Sequence, residues 1–426
     1  MRRRLILGAL ALVVVVVVAV VAVPLLTGAG PIPPATVDPA RLDAGQRARL
    51  VERGRYIARA ADCAACHVAE DGRAYAGGLP METPVGTIYG TNITPSRDHG
   101  IGGWSADDLY RALVYGILPD GGRLYPAMPY TSYHAMTRAD VDALSAYLAS
   151  LPAVEKPNRP PDLAFPFNIR PAIAFWNLIF RPEPGDLPPP AGSAAPAGDH
   201  ARGRYLVEVL GHCGECHTPR NLAYAMEDDR HLQGEVIEGA LAPDITPAGL
   251  SARGWTAEDL TGFLSTGLSP QGTMTFRMYP VLHHSTRYLT AEDVGAIAAY
   301  LTDGAPPPTR PEPVTTGHTQ NPGHDIYLGF CAGCHGADGE GHPAASPPLA
   351  TNTTAMLQDP RNLVKVIRDG IPARPLAGTG RMQEMPAFGD LLDDGEMAAL
   401  VNYLRRRWGG QPGDVTAERM AEVGSR

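Results

Sequence analysis

Cysteine is sparse in this chain, six residues in 426, too few for the dense disulfide framework that staples small secreted scaffolds. No Gly-x-Gly-x-x-Gly loop opens a helix after a strand, so the usual signature of dinucleotide binding is missing. No constellation of nucleophile, base and orienting group stands out either. Charged residues make up only 19% of the chain, and acidic ones lead, giving a formal net charge of −9. That balance argues against nucleic acid as a partner and favours partners with a basic patch.

What is present is concentrated in one short phrase. All six cysteines fall in three copies of Cys-x-x-Cys-His: Cys63-Ala64-Ala65-Cys66-His67, Cys213-Gly214-Glu215-Cys216-His217 and Cys331-Ala332-Gly333-Cys334-His335. This spacing marks covalent attachment of c-type haem. Each thiol of a pair can form a thioether to a haem vinyl, and the adjacent imidazole then coordinates the iron from the proximal side. A thioredoxin-type pair would want one motif in one βαβ unit and no following histidine. A structural zinc site would need four ligands brought together, whereas these pairs lie 150 and 118 residues apart. The sequence therefore predicts three covalently bound haem c groups, with six cysteines as anchors and His67, His217 and His335 as proximal ligands.

The N-terminus reads Met1-Arg2-Arg3-Arg4 and then runs uncharged from Leu5 to Leu26. As a helix at ~1.5 Å per residue those 22 residues would cross a hydrocarbon core of ~30 Å. A cleaved signal peptide usually has a shorter apolar region and a small-x-small cleavage site. Pro24 and Pro31 crowd the positions where that site would fall. An uncleaved signal-anchor in the inner membrane is expected, with three arginines holding the N-terminus in the cytoplasm and the rest exported to the periplasm.

An internal duplication sets the organisation. Gly54-Arg55-Tyr56 answers Gly203-Arg204-Tyr205, Asn92-Ile93-Thr94-Pro95 answers Asp244-Ile245-Thr246-Pro247, and Gly103-Trp104 answers Gly254-Trp255. Ala146-Tyr147-Leu148 answers Ala299-Tyr300-Leu301, and the offsets run from 149 to 153 residues throughout. Each copy predicts a helix into the haem motif, a long irregular stretch, and a helix opening at Ser105 or Thr256, with Asp108 or Asp259 three residues on as capping partner. A terminal helix follows, opened by Thr137 or Thr290, with Val141, Leu144, Tyr147 and Leu148 at helical spacing in the first copy. A third, shorter unit has Leu363 to Ile367 and then Met397, Leu400, Val401 and Leu404.

Two linkers separate the units. The first, from Pro152 to Gly198, holds twelve prolines and is expected to lack regular structure over much of its length. Its apolar stretches, Phe165 to Arg170 and Ile173 to Phe180, either pack on the adjacent haem domains or form a docking surface. The second, Gly304 to Gly323, reads as a plain Pro-rich tether.

Haem that only transfers electrons is usually six-coordinate, and a methionine as second axial ligand raises its potential. Met128 and Met278 each lie 61 residues after their histidines, and Met385 lies 50 after His335. All three precede the terminal helix near a proline, which stiffens a loop presenting the sulfur. Met278 has Met274, His283 and His284 as neighbours, and a histidine ligand there would lower that haem's potential.

From about Gly54 to Trp408 the chain resembles the membrane-bound tri-haem cytochrome c subunits of bacterial alcohol, gluconate, sorbitol and aldehyde dehydrogenases. The resemblance is most specific in Ala76 to Tyr89, Thr91 to Pro95, Tyr125 to Tyr133 and Phe165 to Pro171. It implies a mainly α fold of three class I-like cytochrome c domains in tandem, joined by Pro-rich linkers after an N-terminal transmembrane helix. The implied boundaries are a signal-anchor at 1–30, a linker at 31–50, domains at 51–152, 199–303 and 323–410, linkers at 153–198 and 304–322, and a polar tail at 411–426. It also implies His/Met ligation and an electron-transfer role. Electrons would pass from a periplasmic dehydrogenase catalytic subunit to ubiquinone or a terminal oxidase. Unit two departs from the pattern, with Asp244 in place of asparagine and no Met-Pro pair. Two rival readings are an oxidase-linked respiratory cytochrome and a haem enzyme with an open site in domain 2.

Overall fold

Ser105 and Thr256 do open helices, and by the foreseen device. Asp108 N donates to Ser105 Oγ at 3.2 Å while Ser105 N donates to Asp108 Oδ2 at 3.0 Å. Asp259 N and Thr256 repeat the exchange at 3.1 Å in both directions. Aspartate is long enough to close the box, and two otherwise orphaned donors are satisfied at each start.

The structure, a computed structural model, describes residues 22–424 except 24–25, 186, 188–198, 311–320, 344 and 377–379. It is mainly helical, with short antiparallel strands. The chain separates into two compact bodies, residues 1–192 with 208–212, and residues 193–207 with 213–426.

In the first body, helix α1 (Ala44–Ala60) runs into α2 (Cys63–His67), followed by the hairpin β1 (Pro80–Thr83) and β2 (Gly86–Tyr89). Helix α3 (Ala106–Tyr110) continues as wider π turns to Tyr115 and stops at Gly116, φ 66°. A one-turn α4 (Tyr130–Tyr133) precedes α5 (Arg138–Ser150), capped by Thr137. Ile57, Leu113, Val114, Val141, Leu144 and Leu148 form the buried interior between them.

The second body repeats this succession. Helix α7 (Asp199–Arg204), extended by wider turns to Leu210, leads to α8 (Gly214–His217), the hairpin β4 (Glu235–Ile237) and β5 (Ala240–Ala242), then α9 (Ala257–Thr266). A two-residue hairpin, β6 (Leu268–Ser269) with β7 (Gly272–Thr273), precedes α10 (Met278–His284) and α11 (Ala291–Thr302). Then come α12 (Pro322–Phe330), α13 (Ala332–His335), α14 (Arg361–Asp369), the hairpin β8 (Pro375–Leu376) and β9 (Gly380–Arg381), α15 (Asp394–Gly409) and α16 (Ala417–Gly424).

One crossing recurs three times. A Cβ on Gly54 would stand 1.9 Å from Ala143 O and 2.7 Å from Tyr147 Cβ. On Gly203 it would meet Ala296 O at 2.0 Å and Tyr300 Cβ at 2.9 Å, and on Gly323 it would meet Ala399 O at 2.1 Å and Tyr403 Cβ at 2.8 Å. In each case the helix before a cysteine motif lies backbone-to-backbone on the helix that closes the segment. The duplication marked the first two of these glycines and their tyrosines, while Gly323 lacks the Gly-Arg-Tyr phrase that the other two share. Gly54→Ala is expected to destabilise the holoprotein by about 1–3 kcal/mol, because a backbone carbonyl cannot move aside as a side chain can. Chemical denaturation followed by circular dichroism measures it, and an unchanged midpoint would show that the crossing is looser than described.

Three expectations need correction. The membrane-spanning N-terminal helix is the first. Among the described residues no helix is long and apolar enough to cross a membrane, and residues 1–21, 24 and 25 of the expected anchor lie outside the described residues. The far end of the apolar run is built into the first body: Val23 and Thr27 are buried, and Thr27 O accepts from Arg123 Nη1 at 2.7 Å and Arg181 Nη1 at 2.9 Å. The described residues therefore hold no inner-membrane anchor, and the localisation drawn from it loses its support. The second concerns the first linker, which is partly ordered. Strand β3 (Asp162–Leu163) pairs with β2, and α6 (Ile173–Phe180) buries Ile173, Ala174 and Asn177. Phe175, Leu178 and Ile179 remain exposed while Trp176 and Phe180 are half-buried, so packing covers only one face of that helix. The third is the polar tail: Met420 and Val423 of α16 join the buried cluster of Tyr327, Val364, Met397 and Trp408.

Candidate functional site

Each cysteine motif follows directly on a long helix, so its position is set by the glycine crossing. The chain turns into the first two motifs through left-handed residues, Asp62 at φ 49° and His212 at φ 38°. Within a single helical turn the two cysteines fall three apart and share a face, with the histidine next in line. None of the six cysteines is paired in a disulfide. Burial, reinforced by Asp62 and Cys66, pushes the Cys63 thiol up to about 12, and burial with Cys334 nearby pushes Cys331 to about 11.

The three histidines share one arrangement. Nδ1 of His67 donates to Thr91 O at 2.6 Å, that of His217 to Pro243 O at 2.7 Å, and that of His335 to Pro347 O at 3.1 Å. A carbonyl can only accept, so Nδ1 carries the proton and the Nε2 lone pair is left for a metal. Burial lowers the pKa of all three rings, partly offset by these bonds, which favours the neutral imidazole that ligates. Two thiols and one fixed imidazole per motif do not complete a tetrahedral protein site. They do fit a covalently held haem, whose macrocycle brings its own four nitrogens. The carbonyl partners escaped sequence reading, although two of the three are prolines that stiffen the accepting loop.

Asp62, one residue before the first motif, is buried with Oδ1 unpartnered, and burial holds its carboxyl well above the ordinary range. A raised pKa means this group disfavours the folded state once pH climbs above the unfolded value. Asp62→Asn keeps the shape, tolerates the left-handed backbone and removes the charge. It is expected to raise stability at neutral pH by on the order of 1–3 kcal/mol, with the gain vanishing in acid. Melts across pH test this; an equal shift at all pH values would rule out the charge as cause.

The proposed sixth ligands are all half-buried. Met128 sits on the turn before α4, its N–H bonded to Tyr125 O at 3.0 Å. Tyr133 of α4 donates to Ala61 O at 2.7 Å, which ties this loop to the approach to Cys63. Met385 packs on the same cluster as Cys331 and Ala332, and its backbone pairs with Ile371. Met278 is the first residue of α10, packed beside Leu282 and Met274. Met274 is buried core, and His283 stacks on Tyr279 with centroids 6.0 Å apart. The exchange of Asn92 for Asp244 also has a structural reason. Asn92 Nδ2 donates to Val154 O and Lys156 O while Oδ1 accepts from Thr94. Asp244 keeps only the accepting role, towards Thr246, and lies beside buried Arg253, which donates to its carbonyl.

A helical scaffold that fixes Cys-x-x-Cys-His in this way defines the c-type cytochromes, and the family model for cytochrome c matches residues 51–152 and 320–408. Relatives extend the match to most of the chain. The cytochrome c subunit of the quinone alcohol dehydrogenase of Gluconacetobacter polyoxogenes is 37% identical over 397 residues, covering 86% of this chain and 82% of the relative. The gluconate 2-dehydrogenase cytochrome c subunit of Pantoea cypripedii is 37% identical, covering 88% and 89%. The fructose dehydrogenase cytochrome subunit of Gluconobacter japonicus is 36% identical, covering 88% and 82%. The chain belongs to the family of dehydrogenase cytochrome c subunits, a family that implies covalently bound haem c.

Proposed function

We propose that this chain carries three haem c groups and passes electrons from the catalytic subunit of an alcohol-, aldehyde- or sugar-acid-oxidising dehydrogenase to ubiquinone or a terminal oxidase. The observation that supports it is the threefold recurrence of one arrangement: a thiol pair on a helical turn, and a histidine whose Nδ1 is committed to a backbone carbonyl. Haem bound there supplies a one-electron carrier. The cysteines hold it covalently, so that repeated oxidation and reduction cannot release it. The histidine is presented as the Nε2 ligand in a fixed orientation. Met128, Met278 and Met385 would be the second protein ligands, since a thioether stabilises reduced iron and raises its potential. Half-burial of these methionines limits water at the site, and a ligand set that does not change between oxidation states keeps reorganisation small.

The test is capture of the tagged full-length chain from its native cell, with haem counted per chain and the co-purifying subunits identified. Three haems and a molybdenum, flavin or quinoprotein dehydrogenase subunit are expected. Recovery with oxidase subunits alone would move the reading to an oxidase-linked carrier. Carbon monoxide binding by the native reduced protein would favour a haem enzyme with an open second site.

A further inference from the structure

The first site is closed on two sides by the linker that follows it. Strand β3 pairs Gly86 with Leu163 and Thr87 with Asp162, so the hairpin leading to Thr91 has a third strand. Beside the Met128 loop, Tyr125 donates its hydroxyl to Phe167 O at 3.0 Å and lies under the Arg170 guanidinium, 5.3 Å from the ring centroid.

Among the described residues no third strand joins the second site's hairpin, and residues from much further along the chain stand in its place. Strand β5 pairs only with β4 among the described residues. Its Leu241 is met instead by one side-chain amide: Leu241 N donates to Asn362 Oδ1 at 2.8 Å, and Asn362 Nδ2 donates to Leu241 O at 2.7 Å. A carboxamide that gives and takes one bond satisfies a strand residue as a neighbouring peptide would. Two residues on, Pro243 O holds His217. On the other side, Tyr279, next to Met278, donates to Pro375 O at 3.4 Å and lies under Arg374, 4.4 Å from the ring centroid. Leu376 and Met382 are buried in one cluster with Met274 and Leu282, and Met278 packs against it. Thr353 N adds a bond to Gln271 O at 2.8 Å. The tyrosine-under-arginine clasp of the first site thus recurs at the second, with the arginine drawn from the next segment.

We infer that Asn362, Arg374 and Leu376 close the second haem site: Asn362 steadies the strand that holds His217, and Arg374 with Leu376 holds the start of α10, and so Met278, in place. Asn362, Arg374 and Leu376 are positioning residues, and the second site is complete only when the third segment is folded against it. The inference rests on the reading of Met278 as sixth ligand.

The experiment uses the full-length holoprotein and follows carbon monoxide uptake by the reduced form together with the midpoint potential of each haem. Met278→Ala is the reference. It is expected to open one haem to carbon monoxide. The double variant Asn362→Ala/Arg374→Ala is expected to open the same haem, with uptake roughly tenfold faster than in the unaltered protein. Its haem content and the other potentials should stay unchanged, and Arg374→Lys, which keeps a cation over Tyr279, should restore most of the protection. Arg170→Ala should act on the first site instead. If Met278→Ala leaves uptake and potentials unaltered, the ligand reading fails. If Met278→Ala opens the haem but the double variant matches the unaltered protein, the cover fails while the ligand reading stands. Loss of all haem signals together would show a general folding role and likewise overturn it; should the double variant not fold, Arg374→Ala alone decides.

Discussion

Replacing Cys63 and Cys66 together by serine is expected to remove one haem from the protein and leave the other two in place. The expectation follows from the separateness of the three motifs: each has its own helix crossing, its own histidine and its own carbonyl partner. Serine cannot form the thioether, and a haem held by His67 alone would be lost on purification. The same result should follow for Cys213 with Cys216 and for Cys331 with Cys334. Intact mass and the alkaline pyridine spectrum measure haem per chain directly. A double variant that keeps its full haem complement would exclude that motif as an attachment site. One that loses all haem would show that the sites mature together. The electron-transfer consequence is larger than the change in haem number, since a gap in a chain of carriers stops flow across it.

The second large effect is expected at the sixth ligand. Met385→Ala should lower the potential of the third haem by on the order of 0.1–0.3 V, a part of the roughly 0.8 V range that axial ligands span. Met128→Ala should do the same at the first. The cause is loss of a soft thioether that favours reduced iron, together with entry of water into the vacated side. Met385 lies at the edge of a cluster with Tyr327, Leu363 and Ile367, so truncation also leaves a cavity and costs about 2–5 kcal/mol of stability. Spectroelectrochemical titration separates the two effects, because the potential shift belongs to one haem and the stability loss to the segment. A variant with unaltered potentials would remove Met385 from the ligand set. Met382, three residues away and buried, provides the control, since its truncation should weaken packing without exposing the third iron.

These expectations draw unequally on sequence and structure. The cysteine motifs, the duplication and the capping pairs at Ser105 and Thr256 were legible from residue order, because each rests on chemistry local in the chain. Helix caps reach three residues, a thioether pair spans one helical turn, and a repeated segment copies its local signals with it. The third glycine crossing was not read, since Gly323 lacks the Gly-Arg-Tyr phrase of the other two even though Tyr403-Leu404 repeats their closing helix. Nor were the carbonyl partners of the histidines, which come from loops 12 to 26 residues away and depend on how those loops fold back.

The N-terminal run shows where a local signal misleads. Hydropathy and the three arginines described a span, but Val23 is buried in the first body and Thr27 is held there by Arg123 and Arg181, contacts that no window on the sequence contains. The tail behaves similarly: polar on average, it buries Met420 and Val423 because two apolar residues one helical turn apart suffice to dock a short helix.

By itself, then, the sequence determined the class of this protein: covalently bound haem c in a mainly helical cytochrome c fold. Only the tertiary structure decided what surrounds each site. Residue order does not say that Asn362 takes the place of a strand beside β5, or that Arg374 covers Tyr279, because those partners stand 121 and 95 residues apart in the chain. They meet only after the helices have crossed at their glycines. Covalent and capping chemistry is written in short spacing, whereas cover, burial and orientation are products of long-range packing, and it is these that set how each site behaves.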